Sequence, residues 1–387
     1  MSRLGWGDVS RRAGPTPHPL RCAGPRGSEP VTDAVDWDLA ARRAARLARP
    51  GPTADREELS ALVASLRTGA VRAPEFVGTV TDLTEAAERT AAGPVYVIDR
   101  PRWSAGNLAM LRHLVGDLMP VPKGPGGPRF AAEELGALLS LLSSRVLGQY
   151  DPFTPPSTGT EGDGTVTAGR LVLVAPNILH VQRQLNLRAA DFHLWVCLHE
   201  QTHALQFAAA PWLADHMRTR MRELMATLLV EEDAASRMRD LIGALPRVLR
   251  GDGEPATASA GGALLGAVLT EAEQEAMDAS IAVMSLLEGH ADVVMDAVGP
   301  RVVPTVRTIR KSFEARRAGQ GFVDTLLRRV LGLDAKLAQY REGAAFVRAV
   351  VAKVGHPGLN AVWAAPEHLP SAAEIADPAA WVRRVHG

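Results

Sequence analysis

Cysteine is nearly absent from this sequence: its 387 residues include only Cys22 and Cys197. Two isolated thiols cannot build a disulfide framework, so stability must come from a packed core, and a reducing compartment is the simpler setting. Neither charge is in excess, since 43 Lys and Arg balance 43 Asp and Glu. That balance removes the basic footprint that nucleic acid or an anionic membrane surface would require. No stretch approaches the roughly 18 uninterrupted apolar residues of a membrane helix. The N-terminal region has arginines but lacks an apolar run of about 7–15 residues, so it does not read as a secretory signal. The expected location is the cytoplasm.

What is present is the material of a globular core, with 46% hydrophobic and 22% charged residues. The length suits one large domain or two ordinary ones. Residues 1–32 are rich in Pro, Gly and Arg. They read as a disordered arm, or as upstream residues brought in by a mis-assigned start. Residues 33–387 are expected to fold, with a candidate subdomain boundary near 152–165 and a flexible insertion at 251–262. Helical patterns open at Trp37 and Asp55 and recur over Pro101–Val115 and Phe130–Leu147. Val95–Ile98 and Arg170–Val174 have the length and branching of strands, the second stopping at Pro176-Asn177. From Ala189 onward almost everything reads as helix. The expected class is mainly α with a minor β-sheet.

One stretch carries chemistry: Leu198-His199-Glu200-Gln201-Thr202-His203, inside the helical pattern Ala189–Ala208. Helical spacing puts His199 and His203 on one face, about 6 Å apart along the axis, where both imidazoles can reach one zinc ion. Glu200 lies beside them, placed to take a proton from a zinc-bound water of pKa roughly 7. The bland alternative is two core histidines, each bonded to a backbone carbonyl. A third histidine ligand is excluded, because Gln206 stands where that longer motif needs Gly and Ala209 where it needs His.

A second helical stretch decides between these alternatives. Val283, Leu286, Leu287, Val294 and Ala297 make an apolar face, while Glu288 and Asp292 sit four apart on another. A carboxylate pair turned toward a core needs partners, and a metal with a ligating histidine would supply them. Glu288 then completes the ligand set, and Asp292 accepts the remaining N–H of a histidine, His199 by preference. Gly289 and Ala291 are small enough for the two helices to approach closely. The alternative for the pair is a solvated acidic face.

Other candidates have plainer readings. His290 reads as packed or capping, with a substrate contact as the alternative. His193 reads as structural, Cys197 as an inert buried thiol, and Trp195 as packing beneath the site. Tyr150, Tyr340 and His290 are the side chains able to donate to an oxyanion. Pairing of extended substrate along Leu171–Val174 stands beside the alternative of a core strand without substrate contact.

Four runs resemble one bacterial family: Leu142–Phe153, Leu173–Asn177, Phe192–Glu200 and Ser285–Asp292. That family comprises zincin-like, zinc-dependent metalloproteases, some of them labelled as associated with deazaflavin-coenzyme biosynthesis. The resemblance covers roughly residues 33–385 and implies a helix-rich zincin-like fold with a metal site. Glu288 and Asp292 are also similar to the Glu-x-x-x-Asp helix of gluzincin peptidases, in which the Glu binds zinc and the Asp supports a histidine. Glu288 follows His203 by 85 residues, a longer gap than gluzincins commonly show.

The expected function is therefore a zinc metallopeptidase acting on a peptide or protein, with Glu200 as base. Two rivals stand beside it. One is a non-catalytic zinc protein on a peptidase-like fold. The other is a zinc hydrolase of a small molecule linked to coenzyme synthesis.

Overall fold

The computed structural model describes residues 33–121, 126–154, 169–230, 271–319 and 338–387. The predicted arm at 1–32, the insertion at 251–262 and most of the 152–165 boundary lie outside the described residues. The described elements are helices joined to one small sheet, as the sequence predicts.

Helix starts follow local chemistry. Helix α1 (Trp37–Leu47) is capped by Asp36, whose carboxylate accepts from Leu39 N at 2.9 Å. Helix α2 (Arg56–Thr81) is capped by Asp55 through Glu58 N at 2.8 Å, with Glu57 and Glu58 in its first turn. Such carboxylates satisfy orphan N–H groups and offset the positive end of the helix. After α3 (Thr84–Ala91) and strand β1 (Val95–Ile98), α4 (Arg100–Val115) starts under an Asp99 cap with proline in its first turn. Helix α5 (Gly127–Ser143) leads into β2 (Gly148–Asp151), and β3 (Arg170–Val174) runs directly into α6 (Ala175–Gln184). The strand ends before Pro176 as expected, and Pro176 itself occupies the first turn of α6, where its missing N–H costs nothing.

The three strands lie in the order β1-β3-β2, with β1 parallel and β2 antiparallel to β3. Strand β3 is thus the centre of the sheet, and both its edges are bonded to protein. Substrate pairing along Leu171–Val174 is corrected by this topology: the core-strand alternative holds, and β2 is an outer strand. Side chains of β3 alternate in the way a pleated strand requires. Leu171 and Leu173 enter a core with α2, α6 and α7 (Ala189–Ala209), while Val172 and Val174 enter a second core with α1, α4 and α5. Burial on both faces explains the uninterrupted apolar run.

Helix α7 is buried on every face except the partly open one that carries His199, His203 and Phe207, and its sequence is accordingly apolar with polar residues spread around it. It packs on α2 at a close approach, where Gly69 faces Cys197 and Gln201 donates to Ala70 O at 3.0 Å. Helix α8 (Leu213–Val230) follows, then α9 (Glu271–Val298) and α10 (Val306–Gly319). Helix α11 (Ala338–Leu359) packs along α9, and two 3-10 turns lead to the short α12 (Ala372–Ala376) and α13 (Pro378–His386).

Helices α9 and α11 meet at glycine. A Cβ at residue 289 would overlap the backbone of Gly343, and a Cβ at 343 would overlap the backbone of Ser285. Gly289 therefore serves this contact with α11, not the approach of α9 to the histidine helix that its sequence position suggests. Ala297, expected on the apolar face, is exposed, whereas Val283, Leu286, Leu287 and Val294 are buried.

Gly343→Ala is expected to destabilise the protein by about 1–3 kcal/mol, the usual range for overpacking a tight contact. Urea denaturation of the variant beside wild type measures this, and an unchanged midpoint would contradict the close approach.

Candidate metal centre

Helix α7 supplies His199 and His203 one turn apart. Their ring centroids are 4.7 Å apart with planes at 88°, and the two Nε2 atoms stand 3.2 Å from each other. Helix α9 brings Glu288 to the same point. Its Oε2 lies 3.6 Å from His199 Nε2 and its Oε1 lies 3.6 Å from His203 Nε2. All three side chains are half-buried, so the cluster faces solvent on one side. The three residues that the sequence nominates as metal ligands thus converge.

The arrangement fits a metal. Bonds of 2.0–2.2 Å in a tetrahedral shell place neighbouring ligand atoms about 3.3–3.5 Å apart, close to the observed 3.2 Å between the two Nε2 atoms and 3.6 Å from each of them to one oxygen of Glu288. Two imidazole nitrogens and a carboxylate oxygen also form a donor set that zinc takes readily.

Glu200 differs sharply from its neighbours in exposure, retaining only 6% of its surface. A Cβ at residue 148 would lie 2.6–2.7 Å from the Glu200 Cγ, Cδ and Oε1, so the carboxylate rests directly on the backbone of β2. Gly148 makes room for it. Desolvation, and then the negative charge of Glu288, raise the Glu200 pKa well above the ordinary 4.5.

The surroundings of the two histidines hold residues that the sequence does not announce. Gln206 is fully buried, and its Oε1 lies 3.0 Å from His203 Nδ1. Its Nε2 donates to Leu287 O at 2.8 Å and lies 3.1 Å from His290 Nδ1. The Sδ of Met295 stands 3.1 Å from His199 Nδ1, the side at which the sequence suggests Asp292. Asp292 has its carboxylate 3.3 Å from Arg310 NH1, in a bridge that also takes in Asp296 and ties α10 to α9. Met295 could have been found from its position, seven after Glu288 on an amphipathic helix. Gln206 could have been found as the residue three after His203, on the same helical face.

His290 is wholly buried, edge-on to Trp363 at 5.4 Å, so the packed reading holds. Desolvation, and then the charges His356 and His203 would carry, push its pKa down to about 3, which keeps it neutral. His193 is likewise structural, with ring nitrogens 2.9 Å from Ser65 Oγ and 2.8 Å from Gln182 Oε1. Cys197 donates to Leu66 O at 3.4 Å, and burial pushes its thiol pKa up, as expected of an inert thiol. Trp195 packs between Phe192 and Phe313 one turn before His199. Tyr150 lies on β2 against Phe207, its hydroxyl pKa raised to about 12 by burial and then by Asp151. The side chain of Tyr340 lies outside the described residues.

A family model described as zincin-like metallopeptidase matches residues 35–382. The chain belongs to this family. A crystal structure from Chloroflexus aurantiacus, described as a candidate hydrolase with a novel fold, is similar at 30% identity and a TM-score of 0.62. The match covers 90% of this chain and 98% of that one. No curated protein matches the chain. Membership of this family supports a metal-dependent hydrolase, with zinc the usual metal. Among the described residues no helix is long and apolar enough to cross a membrane.

The raised Glu200 pKa has a consequence for stability. Folded, metal-free protein keeps a proton that the unfolded chain releases above its ordinary value, so this group's contribution falls as pH rises past that value. Glu200→Gln has no charge to bury. After chelation, the variant is expected to be more stable than wild type at about pH 7.5, with the difference gone near pH 4. Paired urea titrations at the two pH values measure it.

Proposed function

We propose that this chain is a zinc-dependent hydrolase of the metallopeptidase type, cleaving an amide bond in a peptide or protein. The observation that carries the reading is a pairing of environments. Three ligand atoms converge at the solvent-facing side of α7, and one residue along the same helix a carboxylate is buried against β2.

His199, His203 and Glu288 would hold a zinc ion, which when bound would supply Lewis acidity toward a carbonyl oxygen and toward water. Glu200 supplies the proton traffic. Its raised pKa makes the carboxylate a stronger base than an exposed glutamate, and the resulting acid can hand the proton to a departing amine nitrogen. Gly148 leaves room for the Glu200 carboxylate against the backbone of β2. The outer edge of β2 is the place for an extended substrate to add main-chain hydrogen bonds. Tyr150, on that strand, is the candidate donor to a developing oxyanion. The Arg310 bridge to Asp292 and Asp296 supports α9, and with it Glu288.

Glu200→Gln is the deciding variant. It is expected to retain near-stoichiometric zinc while losing at least about 10²-fold in kcat, the scale of a general base. Glu288→Ala is expected to lose zinc itself. Metal analysis and peptide-hydrolysis assays on both proteins test this, and undiminished turnover by Glu200→Gln would end the proposal.

A further inference from the structure

Gln206 is a wholly buried amide with three polar neighbours, and their chemistry leaves it a single orientation. The carbonyl oxygen of Leu287 can only accept. The Gln206 atom 2.8 Å from it must therefore be the NH2 group, because the reverse would set two acceptors against each other. One amide hydrogen goes to Leu287 O, and the other points to His290 Nδ1 at 3.1 Å, which must accept. The amide oxygen is left facing His203 Nδ1 at 3.0 Å. An oxygen there can only accept, so Nδ1 must carry the proton.

The chain of reasoning ends at the metal ligands. A neutral imidazole protonated on Nδ1 has its lone pair on Nε2. That Nε2 is the atom 3.2 Å from His199 Nε2 and 3.6 Å from Glu288 Oε1. Leu287 is also the residue before Glu288, so the amide that sets the His203 tautomer is bonded to the backbone turn that carries Glu288.

We propose that Gln206 is the positioning residue of this centre. It fixes the tautomer of His203 and couples that histidine to the register of α9, so two ligands from distant parts of the chain are set by one side chain. The inference rests on the metal-site reading given above and concerns how that site is assembled before any metal arrives. The feature that matters is an amide, with donor and acceptor on one planar group; a residue with only one of the two would perform half of the task.

The test begins with zinc-free wild type at about pH 8. Nitrogen NMR of the His203 ring is expected to show the proton on Nδ1; a proton on Nε2 overturns the proposal without any variant. Gln206→Leu is expected to bind zinc about 10–100-fold more weakly in chelator competition, and to give mixed His203 tautomers. Gln206→Glu keeps an acceptor for His203 Nδ1 and loses both donations. It is expected to restore the tautomer while remaining less stable than wild type to urea. Zinc affinity in Gln206→Leu equal to wild type, with Nδ1 still protonated, refutes the role. Wild type that fails to bind zinc would sink the functional reading instead, and the tautomer measurement would still decide the place of Gln206.

Discussion

Two imidazole nitrogens and a carboxylate brought within 3.2–3.6 Å of one another are the constraint on which this structure turns. With no cation to draw these side chains together, the surrounding packing must hold them in place. It does so from both sides. Helix α7 is buried on all but the face that carries the histidines and cannot rotate without exposing core. Helix α9 is clamped against α11 by a glycine on each helix. A preformed site of this kind spends folding energy on geometry, which is the general character of sites ready to bind a metal with little rearrangement.

The sheet, though small, has a decisive position. Strand β3 divides two cores by its alternation, and β2 is thereby brought alongside α7. The consequence is felt at Glu200, whose carboxylate lies on a strand backbone at the one position where no Cβ intervenes. The histidines remain half-open to solvent while this neighbour is dry. One helical turn therefore presents two dielectric environments, and the difference separates residues suited to ligating from one suited to moving a proton.

Much of this was legible in the sequence, for identifiable reasons. His199, Glu200 and His203 form a local pattern whose geometry follows from helical pitch alone. Glu288 was legible because a carboxylate near an apolar helix face asks for a partner. Strands β1 and β3 were visible through branched residues. Strand β2 was not, since Gly148-Gln149-Tyr150-Asp151 has no strand-forming pattern and becomes a strand only by pairing with β3. Helix α6 was hidden by Pro176, which reads equally as a stop and as a first-turn residue. Gln206 drew notice only for standing where a longer motif needs glycine. Its role depends on Leu287 and His290, more than 80 positions away, and no local pattern encodes such a meeting. Gly289 showed the converse: its smallness was legible, but the helix it admits was not.

The 85 positions separating His203 from Glu288 acquire a different meaning in this light. Neither ligand takes its place from the chain that joins them, because Gln206 and the α9–α11 contact already determine where residue 288 stands. Loop-closure entropy grows only logarithmically with length, so a longer connection costs little. What the centre needs of that span is its two ends, Gln206 beside His203 and Leu287 beside Glu288, rather than its length. A bound cation would act as a stitch across that span, making resistance to local opening rise with metal occupancy.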